Sequence, residues 1–403
     1  MNLPLIRNSE RNDFKSCPAK WNWRWNQGLV PAMARQDARW FGTIWHLVWA
    51  EYMTPPAGTE KNPKRGFIRG RDPHETWEQA TKNAFVTIAA APYFDDDKEK
   101  EFFDASELGH IMIDGHMNTY KGDPGFEVLM PEQRFSAKIP YTEDQILRGV
   151  NVGAPNQNFI VTAVGTFDLP IRDHTDDRGR IKILDWKTTN KSTNLKHLNK
   201  DDQTGTYISV ATGFLRREEL IRQDEAVEGM IFSFARKAKP PENVDANGIV
   251  RNKPTKAHYV EALGKFGITD KSTIAQCEAL ALSEGITVWG EPSKNQGSPL
   301  FWRESVTRNR ANRLRQITRI AEDAEVINLV RNNKLPVIKT PGDHCNWCDF
   351  ADLCDIDEDG GDTEDFIKAV YKYENPYADH EEGARNSKES VAANQETKSG
   401  GQV

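Results

Sequence analysis

Between residues 165 and 189 the chain reads GTFDLPIRDHTDDRGRIKILDWKTT, a stretch in which three side chains could act together. Alternation with period two puts Asp185 and Lys187 on one face of a strand and Trp186 on the other. Asp168, across a hairpin, brings a second carboxylate to the same spot. Two carboxylates and an ammonium on one sheet surface can hold a divalent metal and orient a water beside it. A second cluster, Cys345, Cys348 and Cys354, has the spacing C-x2-C-x5-C, which offers three corners of a metal site. The fourth corner falls to Cys17, which makes an all-thiolate site, or to His344, which makes a Cys3His zinc site. Cys277, within AQCEALAL, reads as a core cysteine. His46 stands four residues after Gly42, where a glycine allows close backbone approach, and Gln203 and Tyr207 share a helical face. His110 and His116 read as structural.

These groups need elements to hold them. Val161, Val164, Phe167 and Leu169 mark a first strand, 173–180 a charged turn, and Ile181, Ile183 and Leu184 a second strand. Upstream, 9–25 reads as a short helix broken at Cys17-Pro18, and 34–52 as a helix ended by Pro55 and Pro56. A basic Gly/Pro-rich loop (54–73) precedes helices near 73–90 and 104–120, the second opened by Asp104 with Glu107 three residues on. Residues 126–140 read as strand and turn with Glu132 at their middle. Downstream come a helix over 202–214, a buried strand over 229–235 ending in Arg236 and Lys237, and a helix over 270–284. A long helix is expected over 305–332, with the stripe Leu314, Ile317, Ile320, Ala324, Ile327 and Val330. Its first half carries Arg308, Arg310, Arg313, Arg315 and Arg319. From residue 378 onward there is little to bury, and disorder is expected.

The chain has 403 residues, 37% apolar and 28% charged, enough for a large domain with a substantial core. No apolar run reaches membrane-spanning length, and the first residues lack a signal-peptide core, so a cytoplasmic protein is expected. The net charge of −7 looks wrong for a polyanionic partner. However, residues 355–403 hold 13 acidic and 5 basic residues, whereas 1–354 hold 48 basic and 47 acidic. A basic groove in the body therefore remains compatible with the composition. Five cysteines, an odd number, argue against a disulfide framework.

Read in order, the motifs are S-x4-F-x2-C-P (from Ser9), G-x3-H (to His46), Glu132, G-x2-D (to Asp168), D-x-K, Q-x3-Y and C-x2-C-x5-C. That succession resembles the PD-(D/E)XK nuclease superfamily, in its RecB-like branch with an iron–sulfur cluster, as in Cas4 proteins and the nuclease domain of AddB. The resemblance implies an α/β fold with a restriction-endonuclease-like core, a central mixed sheet flanked by helices. It also implies a helical insertion and an Fe–S clasp joining the N- and C-terminal segments. The corresponding division is an N-terminal segment 1–53, helical insertion 54–125, nuclease core 126–304, long helix and cysteine clasp 305–354, and acidic tail 355–403.

By the same resemblance His46, Asp168, Asp185 and the carbonyl of Trp186 hold Mg2+ or Mn2+. Lys187 is the catalytic lysine, Gln203 and Tyr207 organise the site and the DNA, and Glu132 matches an acidic position before the hairpin. Cys17, Cys345, Cys348 and Cys354 become ligands of a [4Fe–4S] cluster. The chain departs from the pattern in having Thr-Phe-Asp168 where Pro-Asp is usual, and in exceeding a typical Cas4 in length. It has no helicase phosphate-binding loop, so it is not a complete AddB. Arg236 and Lys237 are candidate phosphate contacts. The expected function is a metal-dependent DNA exonuclease of recombination, repair or phage DNA metabolism, acting on DNA with a recombination partner protein. The alternatives are a catalytically idle DNA-binding or scaffold subunit and a zinc-stabilised binding module.

Overall fold

The computed structural model of the chain describes residues 3–32, 39–56, 58, 67–90, 94–154, 156–175, 178–190 and 198–381. The chain opens with strand β1 (Leu5–Arg7) and helix α1 (Asn8–Ser16), which breaks at Cys17 before α2 (Pro18–Trp21) and a π-helical turn. Strand β2 (Leu29–Pro31) and helices α3 (Arg39–Met53), α4 (Pro73–Ala89) and α5 (Asp96–Tyr120) follow. Then come β3 (Phe126–Val128), β4 (Gln133–Pro140), α6 (Glu143–Leu147), β5 (Phe159–Phe167), β6 (Leu169–Asp173) and β7 (Arg180–Thr189). Helix α7 (Asp202–Arg217) and strand β8 (Val227–Arg236) lead into α8 (Lys256–Leu263) and α9 (Ile274–Ser283). The chain closes with β9 (Phe301–Thr307), α10 (Arg310–Arg331), α11 (Ala351–Glu358), α12 (Thr363–Val370), β10 (Tyr371–Tyr373) and α13 (Ala378–Glu381).

The main sheet is mixed, in the order β3-β6-β7-β8-β9, with only β7 and β8 parallel. A smaller sheet has the order β1-β5-β4. One face of the main sheet buries Leu184 and Trp186 against α3, α4 and α5, where Trp45, Trp49 and Trp77 are fully enclosed. The other face buries Ile181, Ile183, Phe232 and Phe234 under α7. This is the expected α/β arrangement of a mixed sheet between helical layers. Helices α4 and α5 pack closely because Gly109 has no side chain: a Cβ there would lie 2.0 Å from the Trp77 ring.

The two sheets are joined by strands that pass from one to the other. β5 pairs with β4 in the small sheet, and after Asp168 its continuation, β6, pairs with β3 and β7 in the large one. The partner segment turns the same corner between β3 and β4, at Glu132, whose N–H donates to the Asp168 carbonyl at 2.8 Å. The sequence reading of one strand through Leu169 is thus corrected to two strands meeting at Asp168. Neither partner of that corner is local, which is why periodicity misses it.

Other boundaries also move. Helix α5 begins at Asp96, capped by Asp95 accepting from the Lys98 N–H, so the Asp104/Glu107 pattern lies inside it. Residues 301–307 form an edge strand on β8, and the long helix starts only at Arg310. Leu314 of its expected apolar stripe is 58% exposed, and Gln316 is buried instead. The expected acidic tail is folded as far as residue 381: β10 pairs with β2, and Tyr371 stacks on Phe350. Of the segment expected to be disordered, 378–381 form α13, and 382–403 lie outside the described residues, as do 34–38 of the expected first long helix, part of the 54–73 loop and 176–177 of the charged turn. Among the described residues no helix is long and apolar enough to cross a membrane.

Candidate active site

The corner at Asp168 opens a gap in the sheet. β6 pairs with β7 only as far as Leu184, whereas β7 runs on to Thr189 alongside β8. Beyond Leu184, therefore, β7 has a ladder partner on one side only among the described residues, and the gap beside it receives Asp168. Asp185 and Lys187 project on the same side of β7, as the alternation requires, with the Lys187 Nζ 2.9 Å from Asp185 Oδ1. Helix α3 supplies the fourth group: His46 Nδ1 lies 3.0 Å from Asp168 Oδ2. Gly42 is not what permits this approach, because a Cβ there would meet only the Thr188 hydroxyl at 3.5 Å, an ordinary contact.

His46, Asp168 and Asp185 each offer a ligand atom, and these atoms lie within 4.8 Å of one another. No other group of three or more His, Cys, Asp or Glu residues meets that spacing among the described residues. Both Asp185 oxygens and Asp168 Oδ2 are buried without a well-formed hydrogen bond. Burial and the neighbouring Asp168 charge push the Asp185 carboxyl up, against the pull of Lys187. Burial would also raise Asp168, but His46, 3.0 Å away, outweighs it and holds that carboxyl below its ordinary value. Burial lowers His46 and Lys187, yet the carboxylates beside them prevail and raise both. Two crowded carboxylates with unsatisfied oxygens and an imidazole beside them fit a hard divalent cation, which such oxygen and nitrogen donors would hold.

Of the remaining expected residues, Glu132 and Tyr207 lie close enough to Asp168 to feel its charge. Glu132 has φ +46°, in the left-handed region, and burial with the Asp168 charge pushes its carboxyl up to about 7. Gln203 Nε2 donates to the Tyr207 hydroxyl at 3.3 Å, and Tyr207 packs edge-on against Phe135 and Phe167. Burial pushes its hydroxyl up to about 12, with Asp168 and Asp185 adding to the effect. Arg236 is in register with Thr189, two residues beyond Lys187. Lys237 is half-buried, its ammonium 4.8 Å from the centre of the Phe41 ring. A cavity of about 350 Å3 leads from Asp168, Gln203 and Tyr207 to Arg7 and Asn12. Sequence reasoning missed those last two, because neither belongs to a spaced motif.

Cys17, from the N-terminal end of the chain, lies near enough to Cys348 and Cys354 for its charge to be felt at both. Cys17 sits at the break between α1 and α2. Burial raises the thiols of Cys348 and Cys354, and the nearness of Cys17 raises each further. Backbone N–H groups of Gly342 and Phe350 point at the sulfurs of Cys345 and Cys348, 3.5 and 3.4 Å away. Neither these cysteines nor His344 meet the 4.8 Å spacing, whereas sulfurs around one tetrahedral zinc would sit about 3.8 Å apart. Cys277 is fully buried in a small core with Tyr259 and Leu263, as expected. His116 is buried against Trp49, and His110 contacts His74.

The interrupted ladder presents Asp168, Asp185 and Lys187, and α3 brings His46 beside them, an arrangement that can hold a divalent cation. Residues 8–355 match the family model of the PD-(D/E)XK nuclease superfamily, and the chain belongs to that superfamily. Its members usually use Mg2+ or Mn2+, and the fold implies DNA as substrate. No curated protein matches the chain.

Proposed function

We propose that this chain is a divalent-metal-dependent DNA exonuclease of the RecB-like branch. The observation that carries the reading is the convergence of His46, Asp168 and Asp185 within 4.8 Å, with Lys187 held on Asp185. His46, Asp168, Asp185 and the Trp186 carbonyl would hold Mg2+ or Mn2+, which when bound neutralises charge at phosphorus and acidifies water. Lys187 then orients the attacking water and donates to a phosphate oxygen as charge builds on it. Glu132, with its raised carboxyl, is placed to take a proton beside Asp168. Gln203 and Tyr207 wall the cavity and position the strand, and Arg236 and Lys237 are candidate phosphate contacts. A cavity of about 350 Å3 lined by Asp168, Gln203 and Tyr207 offers room for part of a strand beside the metal site. Recombination, repair or phage DNA metabolism, with a recombination partner protein, is the setting that the resemblance suggests.

In the same reading Cys17, Cys345, Cys348 and Cys354 hold a [4Fe–4S] cluster. The gathering of thiols from both ends of the chain supports it, as do the N–H groups aimed at two sulfurs.

The test is digestion of end-labelled linear and closed circular DNA with Mg2+ or Mn2+. The expected result is loss of the linear form with circles spared. Asp185→Ala and Lys187→Ala should each lower the rate by at least about a hundredfold, with DNA binding in metal-free buffer nearly intact. Wild-type rates in either variant would show the site to be misassigned. Cut circles would mean an endonuclease, and survival of both forms would leave the DNA-binding scaffold.

A further inference from the structure

One face of the small sheet packs into the core and, through Phe135, touches Tyr207 of the active site, and the other carries Arg7 and Arg134 around buried Val164. Ile6, Phe135, Ile139, Val161 and Ala163 point inward and are buried. Register puts Arg7, Val164 and Ser136 side by side on the other face, with Thr166 and Arg134 two residues further along. β5 ends at Phe167 and the chain turns at Asp168, and the cavity that Arg7 lines also reaches Asp168.

The chain's own C-terminus covers this track. The Asp379 carboxylate pairs with the Arg7 guanidinium, and its carbonyl accepts from Arg134 Nη1 at 2.7 Å. Tyr377 lies beneath Arg7, 5.7 Å from ring centre to guanidinium carbon, and its hydroxyl bonds to Glu10. Asp379 and His380 line the cavity that Asp168, Gln203 and Tyr207 also line. The Asp379 side chain is nevertheless 47% exposed, so the carboxylate can swing off Arg7 while Tyr377 and the 6%-exposed His380 side chain stay packed.

We propose that Arg7 and Arg134 form a phosphate subsite for a nucleic-acid strand running along this sheet face to Asp168, with Asp379 occupying it in the free protein. The proposal rests on the nuclease reading. A guanidinium donates to a carboxylate oxygen and to a phosphodiester oxygen alike. A tethered carboxylate competes at high local concentration, and an incoming strand prevails by making several such contacts at once. The C-terminal turn therefore tunes affinity for the strand and disfavours ligands that cannot displace it.

The test is fluorescence anisotropy of a labelled single-stranded oligonucleotide, titrated with full-length protein in EDTA over a salt series. Asp379→Ala should bind about three- to tenfold more tightly than wild type, and Asp379→Asn, which keeps the side chain's shape, should follow it. Arg7→Gln should weaken binding and reduce the slope of log affinity against log salt by about one. In the Arg7→Gln background, Asp379→Ala should add little. A packing role for Asp379 would instead lower the melting temperature and leave the salt slope alone. Unchanged affinity and slope in both Asp379 variants, or wild-type behaviour of Arg7→Gln, overturns the subsite. If neither wild type nor the Asp379 variants bind, the nuclease reading falls with it. If wild type binds and is cleavage-competent while the variants stay silent, only the subsite falls.

Discussion

At the scale of single residues, the site is a problem of unpaired charge. Asp185 is 1% exposed, and its oxygens face the Lys187 ammonium on one side and the like charge of Asp168 on the other. Burying a carboxylate so poorly satisfied costs several kcal/mol unless a cation compensates it. Asp168 meets the same difficulty by leaning on His46. His46 thus serves the carboxylates when no metal is present and becomes a candidate ligand when one is. His46→Ala leaves both carboxylates in place, so the variant should cleave but need about ten- to a hundredfold more Mg2+ or Mn2+ for half-maximal rate. Rate measured against metal concentration separates this from a purely structural defect. A lower maximum at an unchanged metal midpoint would remove His46 from the ligand set.

At the scale of elements, α1, α7 and α10 are tied by charge rather than by apolar contact alone. Arg11, 1% exposed, reaches Asp323 at 2.6 Å and Asp202 at 3.4 Å, while Lys15 bridges the same two carboxylates at 2.8 and 2.6 Å. Burial alone would raise the Asp202 carboxyl, but bonds from Lys15 and Gln316 and the Arg11 charge outweigh it and hold it at about 2. An unfolded Asp titrates near 4. The link therefore stabilises the fold above about pH 4 and is lost as pH falls toward 2. Asp202→Asn should cost about 1–2 kcal/mol at pH 7, allowing for partial solvent screening, and distinctly less at pH 3. Urea unfolding at the two pH values checks this, and an equal cost at both would rule out an ionic origin. Elements whose pattern is local were legible from sequence: the alternation of β7, the shared face of Gln203 and Tyr207, and the break at Cys17. Residues 305–307, the expected start of the long helix, belong instead to β9, whose identity comes from pairing with β8. The corner at Asp168 went unseen because Glu132 and β7, which fix it, are distant in sequence. Arg7 and Arg134 had no motif to mark them, since only the register of three strands brings them together.

At the scale of the whole molecule, the question is what closes the N-terminal segment onto the C-terminal one. Protein contacts already do part of it. Glu10, fully buried, accepts from Trp21 Nε1 at 3.0 Å and pairs with Arg331 at 2.9 Å, and the Ala19 N–H donates to the Ile338 carbonyl at 3.2 Å. Strand β2 pairs with β10 beside Leu29, Phe350 and Leu353. A cluster joining Cys17 to the C-terminal thiols would close a very long loop, a constraint of about 4–5 kcal/mol in chain-entropy terms borrowed from disulfides. Because the other contacts hold the same ends together, the measured gain should fall below that figure. Protein purified without oxygen should be brown, with about four irons per chain. Cys17→Ser should bleach it and lower its melting temperature. Proteolysis should then begin in 335–350, where Leu335, Val337, Ile338 and Trp347 are exposed, before it reaches the segment anchored by buried Trp21 and Trp25. Nuclease activity should decline only as fast as the protein unfolds, since Cys17 lies outside the reacting cluster of His46, Asp168 and Asp185. Zinc, with its filled d shell, gives no colour. A colourless protein holding one zinc, with metal content and protease sensitivity indifferent to Cys17→Ser, would remove the cluster and leave His344 as the fourth ligand of a local zinc site.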